Sequence, residues 1–130
     1  MRHLVPIAVV LAACPSPSTG VPLEQDFDLR PGQSVGIAST GHTVTFEAVP
    51  EDSRCPTGVV CIWAGNARVN LRIHRAGRDT SVALNTGIEP KAVTLDAVRL
   101  ELRGVTPVPR AGASTQPGDY RITLRASGPR

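Results

Sequence analysis

The chain has 130 residues, 41% of them hydrophobic and 3% aromatic, with 14 basic side chains against 11 acidic ones. Thirteen of the basic residues are arginines, which are good phosphate ligands, but one Trp, one Tyr and two Phe provide no platform on which bases could stack, so no nucleic-acid partner is expected. The length suits one domain able to bury roughly 65% of its unfolded surface.

The N-terminus reads MRHLVPIAVVLAAC: a cationic opening at Arg2 and His3, then an apolar run from Leu4 to Ala13 that ends in small residues before Cys14. A spanning helix needs about 20 apolar residues, so this is the form of an export signal and not of a membrane span. The string Leu11-Ala12-Ala13-Cys14 resembles the lipobox of bacterial lipoproteins, with an ordinary secretory signal cut nearby as the alternative. The resemblance implies that Cys14 becomes the acylated N-terminus, and several acyl chains at about 0.8 kcal/mol per buried CH₂ make a stable membrane anchor. Residues 1–13 are then the signal peptide, 14–24 the lipidated cysteine and a flexible Pro/Ser-rich tether, and 25–128 a single domain. Removal of Arg2 with the signal leaves a net charge of +2. Pro15 follows Cys14 where an inner-membrane retention signal has aspartate. The expected location is therefore the cell envelope, at the outer membrane in a diderm organism.

With Cys14 lipidated, Cys55 and Cys61 remain as an even pair in an oxidising compartment, where a disulfide is expected. A zinc site lacks ligands, since a structural site needs four and only His42 and His74 would remain in the processed chain. No metal or other cofactor is expected.

Along the domain, period-two alternation recurs and helical periodicity is nearly absent. Short strands are predicted at Phe27 to Leu29 and Ser34 to Ala38. In HTVTFEAV, Val44, Phe46 and Ala48 share the inward face. ARVNLRIHR places Val69, Leu71 and Ile73 inward, and Thr80 to Leu84 is a further weak strand. In KAVTLDAVRLELRGV the inward set passes from Val93, Leu95 and Ala97 to Val98, Leu100 and Leu102, a slip that a bulge or tight bend produces. Residues Val105 to Gly118 show no periodicity and form the longest irregular segment. YRITLRA closes the chain with Tyr120, Ile122, Leu124 and Ala126 inward. Turn clusters RPGQ, STGH, HRAGRD, LNTGIEP and QPGD separate these runs. Seven or eight such strands predict an all-β, antiparallel β-sandwich, with a small β-barrel as second candidate. The string Pro117-Gly118-Asp119-Tyr120 resembles a strand opening of immunoglobulin-like domains, which implies a tyrosine hydroxyl bonded to nearby backbone.

The segment EDSRCPTGVVCIWAG, Glu51 to Gly65, concentrates two cysteines and the only tryptophan between two strands. The expected bridge encloses Pro56, Thr57, Gly58, Val59 and Val60. Trp63 is expected to lay its ring against the bridge or across the end of the sandwich as a core plug, with Gly65 turning the backbone and Asn66 available for positive φ. Glu51 and Asp52 are expected to pair with Arg54. DSRCP, then CIWAG and Ala67, resembles a motif of small bacterial envelope lipoproteins to which no activity is attached. The resemblance implies lipoprotein status, the disulfide and the β fold, and no functional residues.

No serine lies in a G-x-S-x-G elbow, both domain cysteines are expected to be oxidised, and His42 reads as a lone surface histidine at a strand start, so catalysis is not expected. A non-catalytic envelope module, binding a protein or glycan through its loops, is the favoured reading. The alternative is a protease inhibitor presenting residues 55–61 as a pre-organised loop, because Val59 and Val60 are apolar in a surface segment. The outward arginines Arg68, Arg72, Arg99, Arg103, Arg121 and Arg125 form a basic face only if their strands share a sheet, and dispersal between sheets is the favoured expectation.

Overall fold

A computed structural model describes residues 20–129. The expected signal peptide and the lipidated Cys14 lie outside the described residues. The alternating runs form eight strands: β1 (Asp26–Leu29), β2 (Ser34–Gly36), β3 (Thr43–Asp52), β4 (Ala67–Arg75), β5 (Arg78–Asn85), β6 (Ala92–Leu95), β7 (Val98–Thr106) and β8 (Arg121–Ser127). They make two four-stranded antiparallel sheets, ordered β1-β8-β7-β6 and β2-β3-β4-β5, which is the expected β-sandwich.

Strands adjacent in sequence are adjacent in a sheet except at β1–β2 and β5–β6, where the chain crosses between sheets. The order is that of an up-and-down ring split along two seams, so the barrel is not closed. Nor is it the Greek-key order of immunoglobulin domains, whose sheets mix distant strands. The resemblance at Pro117 to Tyr120 therefore does not extend to topology.

The core lies between the sheets. Phe46, Leu71 and Val69 of one sheet face Leu29, Ile122 and Leu124 of the other, all without solvent exposure. The inward sets expected for β4, β7 and β8 are buried. In β3 the phase slips after Phe46: Ala48 is exposed and Val49 rests against the core, because the β3–β4 register shifts between Phe46 and Ala48. The second phase change is a two-residue hairpin turn. Asp96 and Ala97 adopt φ of 49° and 64° between β6 and β7, and Ala97 is exposed rather than inward.

Each sheet holds some of the six outward arginines. Arg68 and Arg72 lie on β4, whereas Arg99, Arg103, Arg121 and Arg125 lie on neighbouring β7 and β8. Carboxylates break up the second group: Glu101 pairs with Arg99 and Arg103, and Asp26 lies 3.7 Å from Arg103 and 3.8 Å from Arg125. No uniform basic face results.

The strands define two poles. At one, here the tip, the β3–β4, β5–β6 and β7–β8 loops meet. At the other, the base, lie the β2–β3, β4–β5 and β6–β7 turns. The ten residues of β3 separate the poles by roughly 30 Å at 3.3 Å per residue. The first described residues lie at the base, where Val21 N–H donates to Gly36 O at 2.8 Å and Ala38 N–H to Val21 O at 2.9 Å. Glu24 N–H donates to Ala126 O at 2.8 Å, so the last part of the expected tether is tied to the domain.

Candidate functional site

The tip is organised around one buried ion pair. Arg54 donates from Nε to Asp52 Oδ1 and from Nη2 to Asp52 Oδ2, both at 2.8 Å, with side chains 13% and 10% exposed. The same guanidinium donates to two carbonyls at the end of β7, Val105 O at 2.7 Å and Pro107 O at 2.8 Å. Asp52 also accepts the Tyr120 hydroxyl at 2.9 Å. The expected pairing with Arg54 is thus met by Asp52, while Glu51 lies 3.4 Å from Arg68 instead. Tyr120 bonds a carboxylate across the sandwich and not nearby backbone, which corrects the expectation for its hydroxyl. The Arg54 hydrogen bonds hold the Asp52 carboxyl below its ordinary range, and burial together with the bond to Asp52 pushes the Tyr120 phenol up.

This brace joins the ends of β3, β7 and β8, and the loops beyond them continue the contact. Cys55 and Cys61 form the expected disulfide, with Cα atoms 5.8 Å apart. Within the closed loop, Thr57 N–H donates to Pro109 O at 2.8 Å and Ala111 N–H to Thr57 O at 3.2 Å, a parallel bridge to the irregular segment after β7. Below it, Ser53 N–H donates to Asn66 O at 2.7 Å and Cys55 N–H to Ala64 O at 3.1 Å. The Asn66 side chain links the third loop, donating to Asn85 Oδ1 at 3.0 Å and accepting from Gly87 N–H at 2.8 Å. Asn66 is not among the positive-φ residues. Gly65 is, at 74°.

What these loops present is apolar. Val60 is 102% exposed, Ile62 91% and Trp63 81%, with Val59, Ile88 and Val108 also exposed. These six are the large exposed hydrophobics among the described residues, and all lie on the three tip loops. Trp63 is therefore not a core plug. The core end is closed instead by the polar brace and by Tyr120, which leaves the CIWA backbone to run outward with its side chains in water. Of the expected loop residues, Pro56 is half-buried, Thr57 and Gly58 are exposed, and Val59, Val60 and Trp63 belong to the apolar crest.

Opening the bridge with Cys55→Ser and Cys61→Ser is expected to lower stability by about 2 kcal/mol, the loop-closure entropy of so short a ring. The bridge to Pro109 and Ala111 still holds Thr57, so the sandwich should stay folded. Urea titration of the oxidised protein and the double variant, with circular dichroism of the folded baseline, checks both statements.

The tip also holds Ser53 and Ser114, but His42 and His74 sit at the base, beside the start of β3 and near the end of β4. Ser53 Oγ is occupied by the backbone of Asn66. No group of three or more His, Cys, Asp or Glu side chains suited to a metal occurs among the described residues. His42, expected at the surface, is 4% exposed, packed under the β6–β7 turn with Nε2 at 3.3 Å from Asp96 Oδ2. The tip thus presents an exposed apolar crest on loops joined by a disulfide, an ion pair and backbone hydrogen bonds. Set against known protein families, curated proteins and solved structures, the chain has no significant match in any.

Proposed function

We propose that this chain is a lipid-anchored, non-catalytic lipoprotein of the bacterial cell envelope whose tip binds a protein partner. The observation that carries the reading is the crest of Val60, Ile62 and Trp63, exposed together on a loop fixed by a disulfide, a bidentate ion pair and a β-bridge. Exposed apolar clusters rimmed by polar groups mark interaction sites, and tryptophan is the residue most enriched among binding hot spots. A loop already held in place loses little entropy when it docks.

The direction of the domain supports the anchor. Cys14 precedes Gly20 by six residues, a reach of at most roughly 20 Å from the base, whereas the crest lies roughly 30 Å away at the other pole. A lipid on Cys14 therefore leaves the crest pointing away from the bilayer. Among the described residues no helix is long and apolar enough to cross a membrane.

The test is capture from native envelope extracts by the full chain, with Trp63→Ser plus Ile62→Ser as control. A protein retained by the native chain and released at least about tenfold more readily by the variant supports the reading, since two such anchors contribute 1.4 kcal/mol or more. Equal retention by both forms, or capture of glycan alone, would overturn it.

One observation favours a second reading, protease inhibition. Val60 stands fully exposed beside Cys61 in a loop that the disulfide closes over a sequence separation of six. Inhibition of serine or cysteine proteases that vanishes on reduction, with the loop left uncut, would put this reading first. Rapid cleavage between Cys55 and Cys61 without inhibition would remove it.

A further inference from the structure

A second candidate site lies at the base, away from the crest. Across the β4–β5 hairpin the register sets Arg75 directly opposite Arg78. The turn between them, Ala76-Gly77, has φ of 49° and 77°, the primed geometry that fixes a two-residue hairpin, so the backbones of the two arginines are held in register. Like charges facing each other on neighbouring strands are unfavourable, and nothing in the core requires them here.

Both arginines line a cleft of about 450 Å³ that opens between the β4–β5 and β6–β7 turns, with the hydroxyl residues Thr80 and Thr94 on its walls. Ligand sites commonly have volumes of about 300–1,000 Å³. Arg75 is already oriented, its Nη1 at 3.2 Å from Asp96 Oδ2 and its Nε donating to Thr40 O at 3.3 Å. Arg78 has no carboxylate within ion-pair distance among the described residues, because neighbouring Asp79 is taken by His74 at 2.8 Å. Asp96, the one carboxylate on the cleft, is shared by Arg75 and His42.

The floor adds an independent observation. His42 lines the cleft and is 4% exposed, yet its Nδ1 is buried without a hydrogen-bond partner. Buried polar groups of this kind are rare and call for an explanation. The rest of the floor is Ile73 and Leu95, so the imidazole is its polar feature.

We propose that this cleft is a binding site for a phosphate-bearing anion. A tetrahedral phosphate offers enough acceptor oxygens for two guanidiniums and the Thr80 hydroxyl at once, where a carboxylate has only two. Its charge removes the repulsion between Arg75 and Arg78. The phosphate belongs either to a soluble ester or to a lipid headgroup, since the cleft is at the same pole as Gly20 and would face a bilayer that holds Cys14. The site itself requires neither the anchor nor the crest.

The test has two arms, each run on the full chain and on Arg78→Gln, a change at an exposed strand end that leaves the fold intact. In the first, inorganic phosphate is titrated while the His42 ring and Gly77 amide resonances are followed. In the second, co-sedimentation is measured with phosphatidylcholine vesicles with and without phosphatidylglycerol. Saturable shifts at His42 and Gly77, weakened about tenfold by Arg78→Gln, establish the phosphate site, that factor being the loss of one charge-assisted bond. Binding that depends on phosphatidylglycerol and on Arg78 identifies the headgroup as a source, and its absence beside a positive first arm identifies a soluble ester. No saturable response in either arm, or equal affinity in Arg78→Gln, overturns the proposal.

Discussion

Replacing Arg54 by methionine is expected to lower domain stability by about 3 kcal/mol, because it strips a mostly buried carboxylate of its counter-ion and leaves two carbonyls without donors. Asp52 would keep the Tyr120 hydroxyl and the residue-54 backbone N–H at 3.3 Å but lose its charged partner, while Val105 O and Pro107 O would lose the guanidinium that holds the β7–β8 segment to the disulfide loop. The loss should therefore be both global and local. Urea unfolding reads the first, and hydrogen exchange at Thr57 and Ala111 reads the second. A change under about 1 kcal/mol would show that water replaces the guanidinium at little cost.

The same pair sets an acid limit. The folded Asp52 carboxyl titrates below its ordinary value of 3.8, so its stabilisation is fully present above that value and is lost as pH falls through the lower folded one. Native protein should lose stability on acidification below about pH 4 more steeply than Asp52→Asn, whose baseline is lower but flatter.

Gly65→Ala is expected to be nearly as damaging, at roughly 3 kcal/mol from positive-φ strain and overpacking together. A methyl group at Gly65 would sit inside the van der Waals envelope of the Ser53 carbonyl, where Ser53 N–H donates to Asn66 O and Asn66 N–H donates to Ser53 Oγ, and φ of 74° disfavours any side chain. Relief requires the two arms of the disulfide loop to part, so the crest should lose its shape before the sandwich melts. For a domain near 100 residues this corresponds to a fall in Tm of roughly 12–20 °C. Gly77→Ala, with positive φ but open space, is the control and should cost only about 1 kcal/mol.

The sandwich was legible where strands bury one face. Val69, Leu71 and Ile73, like Ile122, Leu124 and Ala126, alternate cleanly because β4 and β8 are central strands with two partners each. Ala48 points outward because the bulge after Phe46 moves the alternation by one residue and a small alanine beside Val49 gives little sign of the slip, and Asp96-Ala97 is ambiguous because the turn lacks glycine. The disulfide and the pairing of Asp52 with Arg54 were short-range and could be read. The partners of Tyr120 and Thr57 were not, since they lie some 68 and 52 residues away along the chain. Trp63 reads as inward from its size, its place two residues past Cys61 and the scarcity of other large apolar side chains. Val59, Val60, Ile62 and Trp63 follow no period and lie in the loop between β3 and β4, outside the alternation of either strand, so the sequence carries no orientation for them. Strand order, which decided the fate of the arginines, is likewise a property of distant pairing.

Pairing β1 with β8 has a consequence for synthesis. A chain that emerges N-terminus first makes the hairpins from β2 to β5 as soon as each turn appears, since these contacts are local. The partner of β1 is the last strand of the domain to be made, so β1 must wait until every other strand of the domain has emerged. Its sequence, Asp26-Phe27-Asp28-Leu29, places a carboxylate at every second position, and such charges keep an unpaired strand from joining the wrong neighbour. Asp28 then finds its use on completion, when the Thr123 hydroxyl of β8 donates to it at 2.6 Å. The first and last strands of the domain thus close it together, and a chain cut short before Arg121 would leave β1 without a partner and its sheet reduced to the β6–β7 hairpin.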